Sequence, residues 1–258
     1  MATEGTGSRL LVETVDEVDS TNSELLRRNP LLPPGSRAAA VWLVARRQTA
    51  GRGRRQRAWV SREGASLTAS FAREVESPVR LGGLPLVAGL AVADALTAAG
   101  VTGLRLKWPN DLHLAHGKAG GILCEARGRG TLTRLVVGCG LNLKRPQDAE
   151  ALTQPAAGLF EDRESPDLAR LSRAIGEALL AATDRLLVDG FEPFMTSWRE
   201  RDLLATRPIV IHDHGGGERH AIACGVDRDG ALLVEPMDRP GGRERVLAEE
   251  VSVRPLRL

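Results

Sequence analysis

Apolar residues recur along the chain with two different periods, and the period marks each element. Residues 9–18, RLLVETVDEV, alternate and predict a strand. DSTNSELLRR then starts a helix, with Thr21 and Glu24 at capping-box spacing and Pro30, Pro33 and Pro34 closing it. AAAVWLVARRQ at 38–48 and SLTASFA at 66–72 predict buried strands flanking a loop rich in glycine and arginine. Residues 82–100 predict a helix stopped by Gly100, the residue best suited to a C′ position. Three short apolar runs follow, GLRLKWPNDL, KAGGILCEAR and TLTRLVVGCGLNL, and predict neighbouring strands. A helix is predicted over 165–188, starting at Ser165 and Pro166 and presenting Leu168, Leu171, Ile175, Leu179, Ala182 and Leu186 on one face. After RERDLLATR the pattern shortens to PIVIHD, RHAIACGVD, GALLVEP and RERVLAE between Gly-rich turns, which predicts four or five antiparallel strands and a small barrel. The reading is a mixed α+β chain with a boundary near Arg207, giving domains 1–207 and 208–258.

Composition narrows the function classes. Over 258 residues, 42% hydrophobic and 26% charged side chains exclude fibrous and largely disordered classes. The 35 basic and 33 acidic groups leave a net charge of +2, so no global field points to nucleic acid or a membrane surface, and any anion site must be local. Cys124, Cys139 and Cys224 lie far apart and suggest neither a disulfide framework nor a zinc site. With no leader-like or spanning apolar stretch, the expected location is cytoplasmic. Lys107, Lys118 and Lys144 are the only lysines. In a chain whose default cation is arginine, each position that takes a compact ammonium instead asks for a reason.

Two segments carry candidate chemistry. GRGRRQRAW, Gly51–Trp59, places Arg52, Arg54, Arg55 and Arg57 beside glycines. Gln56 occupies the third glycine position of a dinucleotide fingerprint, so that motif fails. Four like charges in six residues predict a loop ordered by an anionic ligand, with backbone N–H groups and guanidinium forks as the grip; a solvated surface loop is the alternative. KWPND, Lys107–Asp111, precedes Lys118 of GKAGGILCE. Pro109 interrupts pairing and leaves Asn110 and Asp111 at a turn, where an amide can read a base edge and a carboxylate can meet magnesium; an Asx turn between strands is the plainer reading. GK at 117–118 lacks the upstream glycine of a P-loop, and no GxSxG occurs. His212, Asp213, His214 and His220 straddle GGG and read as a polar turn rather than a metal cluster.

Taken together, DSTN at 19–22, Gln48, GRGRRQRAW, KWPNDL at 107–112, KAGGIL at 118–123 and GCGLN at 138–142 resemble the biotin protein ligases in order and spacing, over roughly residues 10–258. The resemblance implies a catalytic domain of the class II aminoacyl-tRNA-synthetase-like type followed by an SH3-like barrel. It implies that biotin and MgATP form biotinyl-5′-AMP, from which biotin passes to a lysine of a biotin carboxyl carrier domain of an acyl-CoA or pyruvate carboxylase. It places Ser20, Thr21, Asn22, Gln48, Arg52, Gly53, Arg54, Lys118, Gly121 and Gly138 around biotin, with Arg54 and Lys118 as charge stabilisers. Arg54, Arg55, Arg57, Trp59, Lys107, Asn110 and Asn142 fall to ATP, and Asp111 to Mg2+. Only 18 residues precede DSTN, so the repressor domain of some members is not expected. Gln56 stands where the family usually has glycine. Rival readings are a lipoate or octanoate ligase of the same superfamily, and a nucleic-acid-binding protein, which the low net charge and few aromatics disfavour.

Overall fold

The computed structural model describes residues 9–77, 79, 81–146, 154–161, 164, 166–213, 216–239, 241–248 and 251–256. Strand β1, Leu10–Val18, crosses through helix α1, Thr21–Arg27, to β2, Ala40–Gln48, which pairs parallel to it. β3, Ser66–Glu76, runs antiparallel to β2. Helix α2, Leu84–Ala98, then leads to four more strands: β4, Arg105–Lys107; β5, Asp111–Leu114; β6, Gly117–Arg129; and β7, Leu132–Asn142. The seven-stranded sheet has the order β1-β2-β3-β7-β6-β5-β4, with β7 inserted between β3 and β6.

α2 ends as the sequence predicts. Gly100 sits at φ 88°, its N–H bonds Thr97 O, and the Val101 N–H reaches back to Leu96 O, which satisfies carbonyls left over at the helix end. α1 begins one residue earlier than expected: Ser20 is the N-cap, accepting from Ser23 N–H, while Thr21 is drawn to Gln48. GLRLKWPNDL turns at Pro109 as expected, forming the hairpin of β4 and β5 around a cis Trp108–Pro109 bond, with Asp111 already the first residue of β5. Helix α3, Leu168–Asp189, is capped by Asp167; Ser165 lies outside the described residues, as does His214. Helix α4, Met195–Arg201, was not expected.

α2 and α3 pack on one face of the sheet, burying Trp42, Leu90, Val137, Ile175 and Leu179 in the main core. α1 covers the other face over Leu25, Leu43, Ala72 and Val136. Fully buried Arg134 of β7 pins this helix: its guanidinium donates to Leu25 O and Arg28 O at the end of α1 and to Glu74 of β3.

A second sheet follows from β8, Pro208–Asp213, through β9, Glu218–Val226, β10, Leu232–Pro236, and β11, Glu244–Val246, to β12, Val251–Pro255, in the order β11-β10-β9-β8-β12. Its Ile209, Ile211, Ala221 and Leu232 belong to the same apolar cluster as the first sheet. Contact is close: Trp108 Nε1 donates to Gly230 O at 3.0 Å, and a Cβ on Gly230 would lie 2.7 Å from Gly83 Cα. No helix among the described residues is long and apolar enough to cross a membrane.

Candidate functional site

The site's floor is a patch of sheet in which glycines alternate with short polar residues and one leucine. Ser70 pairs with Gly138 and Thr68 with Gly140 across β3 and β7, and Gly121 and Leu123 of β6 pair with Gly140 and Gly138. A Cβ on Gly138 would overlap Asn22 Oδ1, and one on Gly140 would lie 2.5 Å from Trp59 Cε2. The missing side chains let α1 and the arginine loop settle directly on the backbone.

Above this floor the first residues of α1 form a hydrogen-bonded array. Gln48 Oε1 accepts from Thr21 N–H and Thr21 Oγ1 at 2.8 and 3.0 Å. Ser70 Oγ lies 2.6 Å from both Thr21 Oγ1 and Asn22 Oδ1. Asn22 Nδ2 donates to Leu123 O and Glu125 Oε2. Ser20, Thr21, Asn22, Thr68 and Ser70 are all buried, a cost offset by these bonds.

The loop from 51 to 59 is a narrow hairpin closed by Trp59 N–H to Gly51 O and Gly53 N–H to Arg57 O, with Arg55 and Gln56 left-handed at φ 57° and 56°. Its arginines diverge instead of crowding. Arg52 reaches Ser23 Oγ at 2.9 Å and Glu125 Oε1 at 3.4 Å, and Arg54 donates to Ala248 O in the second sheet's segment. Arg55 and Arg57 are exposed.

Two cavities adjoin here. The first, about 490 Å³ of empty space including its mouth, is walled by Ser20, Thr21, Asn22, Gln48, Arg52, Gly53, Arg54, Trp59, Asn110, Lys118, Gly121 and Gly138, with Thr68, Ala69, Ile122, Leu123, Cys139 and Gly140. Its wall is mostly neutral and polar. The second is lined by Arg54, Arg57, Arg62, Lys118, Lys144 and Arg145, with Trp59, Asn142, Gln154 and Ala156, and no described lining residue is acidic. Gly53, Arg54, Trp59 and Lys118 belong to both. Trp59 Nε1 is buried there with no hydrogen-bond partner among the described residues.

Three expected site residues line neither cavity. Arg55 points to solvent. Lys107 is buried behind Asp111, its pKa lowered first by burial, an effect the Asp111 carboxylate opposes. Asp111 itself meets Lys118 Nζ at 2.6 Å through Oδ1 and Lys107 Nζ at 3.7 Å through Oδ2. Burial alone would push its carboxyl up, but Lys118 and Lys107 outweigh that and hold it below the usual range. A carboxylate already flanked by two ammonium groups does not fit a protein-bound Mg2+, and no group of three His, Cys, Asp or Glu side chains suited to a metal occurs among the described residues. Asn110 departs from Asn142: it lines the first cavity, with its Nδ2 donating to Ile122 O at 2.6 Å.

Sequence reasoning missed Ser70, Glu125 and the basic set Arg62, Lys144 and Arg145. Lys144 carried a usable signal, as the third lysine in an arginine-rich chain. Thr68 and Ser70 carried another, as polar residues two apart on a buried strand.

Residues 20–142 match the model of the biotin/lipoate A/B protein ligase family. A biotin--[acetyl-CoA-carboxylase] ligase of Paracoccus denitrificans is 36% identical over 90% of this chain and 96% of its own. The bifunctional ligase/repressor BirA of Escherichia coli is 35% identical over 87% of this chain and 69% of its own. Among solved structures, the biotin protein ligase from Aquifex aeolicus in complex with biotin and ATP superposes with a TM-score of 0.78 at 27% identity, covering 95% of this chain and 99% of that one.

Proposed function

Because the chain belongs to the biotin/lipoate A/B protein ligase family and is a ligase of the biotin protein ligase type, we propose that its two cavities hold biotin and MgATP and that it forms biotinyl-5′-AMP before transferring biotin to a carrier-domain lysine. One observation carries this reading: a neutral, polar cavity and a cation-lined cavity share Lys118, Arg54, Gly53 and Trp59. A molecule with a ring in the first cavity and a carboxylate at the shared wall meets a phosphate chain in the second.

In the first half-reaction a biotin carboxylate oxygen attacks the α-phosphorus, an acyl–phosphate bond forms, and the bond to pyrophosphate breaks. In the second, a neutral lysine amine of the acceptor attacks the acyl carbon, an amide forms, AMP leaves and the amine gives up a proton. Negative charge collects at the shared wall in both. Lys118 and Arg54 are the groups placed to stabilise it, so catalysis rests on position and fixed cations rather than a protein nucleophile. Arg57, Arg62, Lys144 and Arg145 face the phosphates, Asn142 and Trp59 the base, and the unpartnered Trp59 N–H awaits a ligand acceptor. The magnesium belongs to the MgATP substrate.

The acceptor assignment is the biotin carboxyl carrier domain of an acyl-CoA or pyruvate carboxylase, met in the cytoplasm, where three free cysteines suit a reducing setting. We assign residues 1–207 to a class II synthetase-like catalytic domain and 208–258 to an SH3-like barrel. ATP–pyrophosphate exchange that requires biotin tests the adenylating half of this reading, and biotin transfer to a carrier domain tests the other. Exchange driven equally well by lipoate or octanoate would overturn it in favour of the sister activity.

A further inference from the structure

Glu125 lines neither cavity, yet its two carboxylate oxygens reach both helix α1 and the arginine loop. Oε2 accepts from Asn22 Nδ2 at 2.7 Å, and Oε1 lies 3.4 Å from Arg52 of the loop. We infer that Glu125 is a positioning residue that fixes Asn22 as a hydrogen-bond acceptor toward the ring end of biotin and joins that choice to the seating of the arginine loop. The inference rests on the function proposed above and adds a specificity determinant to it.

Asn22 has two amide hydrogens, and both are spent, one on Leu123 O at 3.1 Å and one on Glu125. Its Oδ1 shares the Ser70 hydroxyl hydrogen with Thr21 Oγ1, and the residue lines the cavity wall. Turning the amide over would set its oxygen against a carboxylate and a carbonyl, so Glu125, with its charge, and Leu123 O together select one orientation. An amide presented in this way accepts and cannot donate, which suits a ligand N–H of the ureido kind. Gln48 complements it: its Oε1 is committed to Thr21, leaving the Nε2 end as donor. The second carboxylate oxygen holds Arg52, whose guanidinium also reaches Ser23 on α1. Helix, loop and β6 therefore meet at one side chain. As a part-exposed ion pair, Glu125 contributes little to global stability, so its removal should register in ligand recognition instead.

Glu125→Gln keeps the shape, removes the charge and supplies an amide that can donate to Asn22 Oδ1, so that Leu123 O alone opposes the reversed orientation. In biotin-dependent ATP–pyrophosphate exchange, its KM for biotin should rise about tenfold or more, as loss of a charge-assisted bond implies, while its KM for ATP stays within about twofold and Tm barely moves. In the double variant with Arg52→Gln, the two effects on biotin KM should fall well short of multiplying. A biotin KM unchanged in Glu125→Gln, a matching rise in both KM values, or fully multiplicative effects would each overturn the assignment. If Glu125→Gln does not fold, Glu125→Asp, which retracts the charge by one methylene, must show the same split. Parent enzyme with no biotin-dependent exchange overturns the ligase reading and this inference together, whereas normal exchange in the parent and in Glu125→Gln overturns the positioning role alone.

Discussion

Lys118 Nζ lies 2.6 Å from Asp111 Oδ1, so the ammonium at the wall between the two cavities is held from behind by a part-buried carboxylate. Asp111 keeps its charge because Lys118 and Lys107 outweigh the burial that would otherwise neutralise it. Lys118→Ala should lower biotin-dependent exchange at least roughly tenfold, the scale of losing one preorganised charge donor. Folding should survive, since Lys107 still faces Asp111 and Lys118 is part-exposed. Lys118→Arg should also be impaired, because a planar fork does not fit a point-charge position. Exchange rates and melting curves on both variants check this; near-normal exchange by folded Lys118→Ala would remove the residue from the mechanism.

His113 pairs with Lys118 across β5 and β6, and burial, only partly opposed by Asp111, pushes its pKa down to about 4. The folded form keeps this ring neutral while the unfolded chain takes up a proton below about pH 6.5. Stability from this group is therefore complete above that pH and is lost as pH falls from about 6.5 toward 4. At pH 5 the loss is about 2 kcal/mol. Urea unfolding at pH 7 and pH 5 should show a smaller pH-dependent drop in His113→Asn than in the parent. Equal drops would show that the ring does not titrate in this way.

Arg134→Met should destabilise the fold, because it strands Leu25 O, an acceptor that the guanidinium now satisfies inside the protein, and leaves Arg28 O to Arg129 alone. Unsatisfied buried acceptors cost about 1–3 kcal/mol each. Its effect on biotin binding should follow, since α1 carries Ser20, Thr21 and Asn22 into the cavity. Chemical unfolding with calorimetric biotin titration tests both; an unchanged urea midpoint would rule out the pinning role.

Gln56 adopts φ 56° at the loop tip, a region that costs a side chain roughly 1–2 kcal/mol. Gln56→Gly should therefore leave stability within about 1 kcal/mol of the parent, the relief in the folded loop being offset by greater freedom when unfolded. Amide hydrogen exchange over residues 49–63 should become faster without ligand. Protection equal to the parent's would mean that the tip's conformation is set by its neighbours.

Local rules carried the reading wherever the deciding atoms lie close in sequence. The ends of β1 and β2, the Gly100 stop of α2 and the short strands after Arg207 all follow from period and turn chemistry within a few residues. Thr21 shows the limit. Its spacing to Glu24 fits a capping box, but Gln48, 27 residues away, claims the side chain and leaves the cap to Ser20. Asp111 shows it again, because no local pattern says that two lysines will surround it. The turn at Pro109 between strands was legible from its residues, whereas α4 was hidden by a span of only seven residues. Most of the cavity wall was legible from the motifs, whereas Ser70 and Glu125 act through partners 48 and 103 residues distant.

The bare backbone under Asn22 and Trp59 makes the chamber a space defined by what its floor lacks. Any replacement at Gly138 or Gly140 adds atoms where helix and indole already rest, so mutation of these two glycines can only subtract room. A version of this enzyme that accepts a bulkier acid must be sought by trimming the roof, in α1 and the hairpin from 51 to 59. Random libraries directed at the two floor glycines would return mostly closed sites.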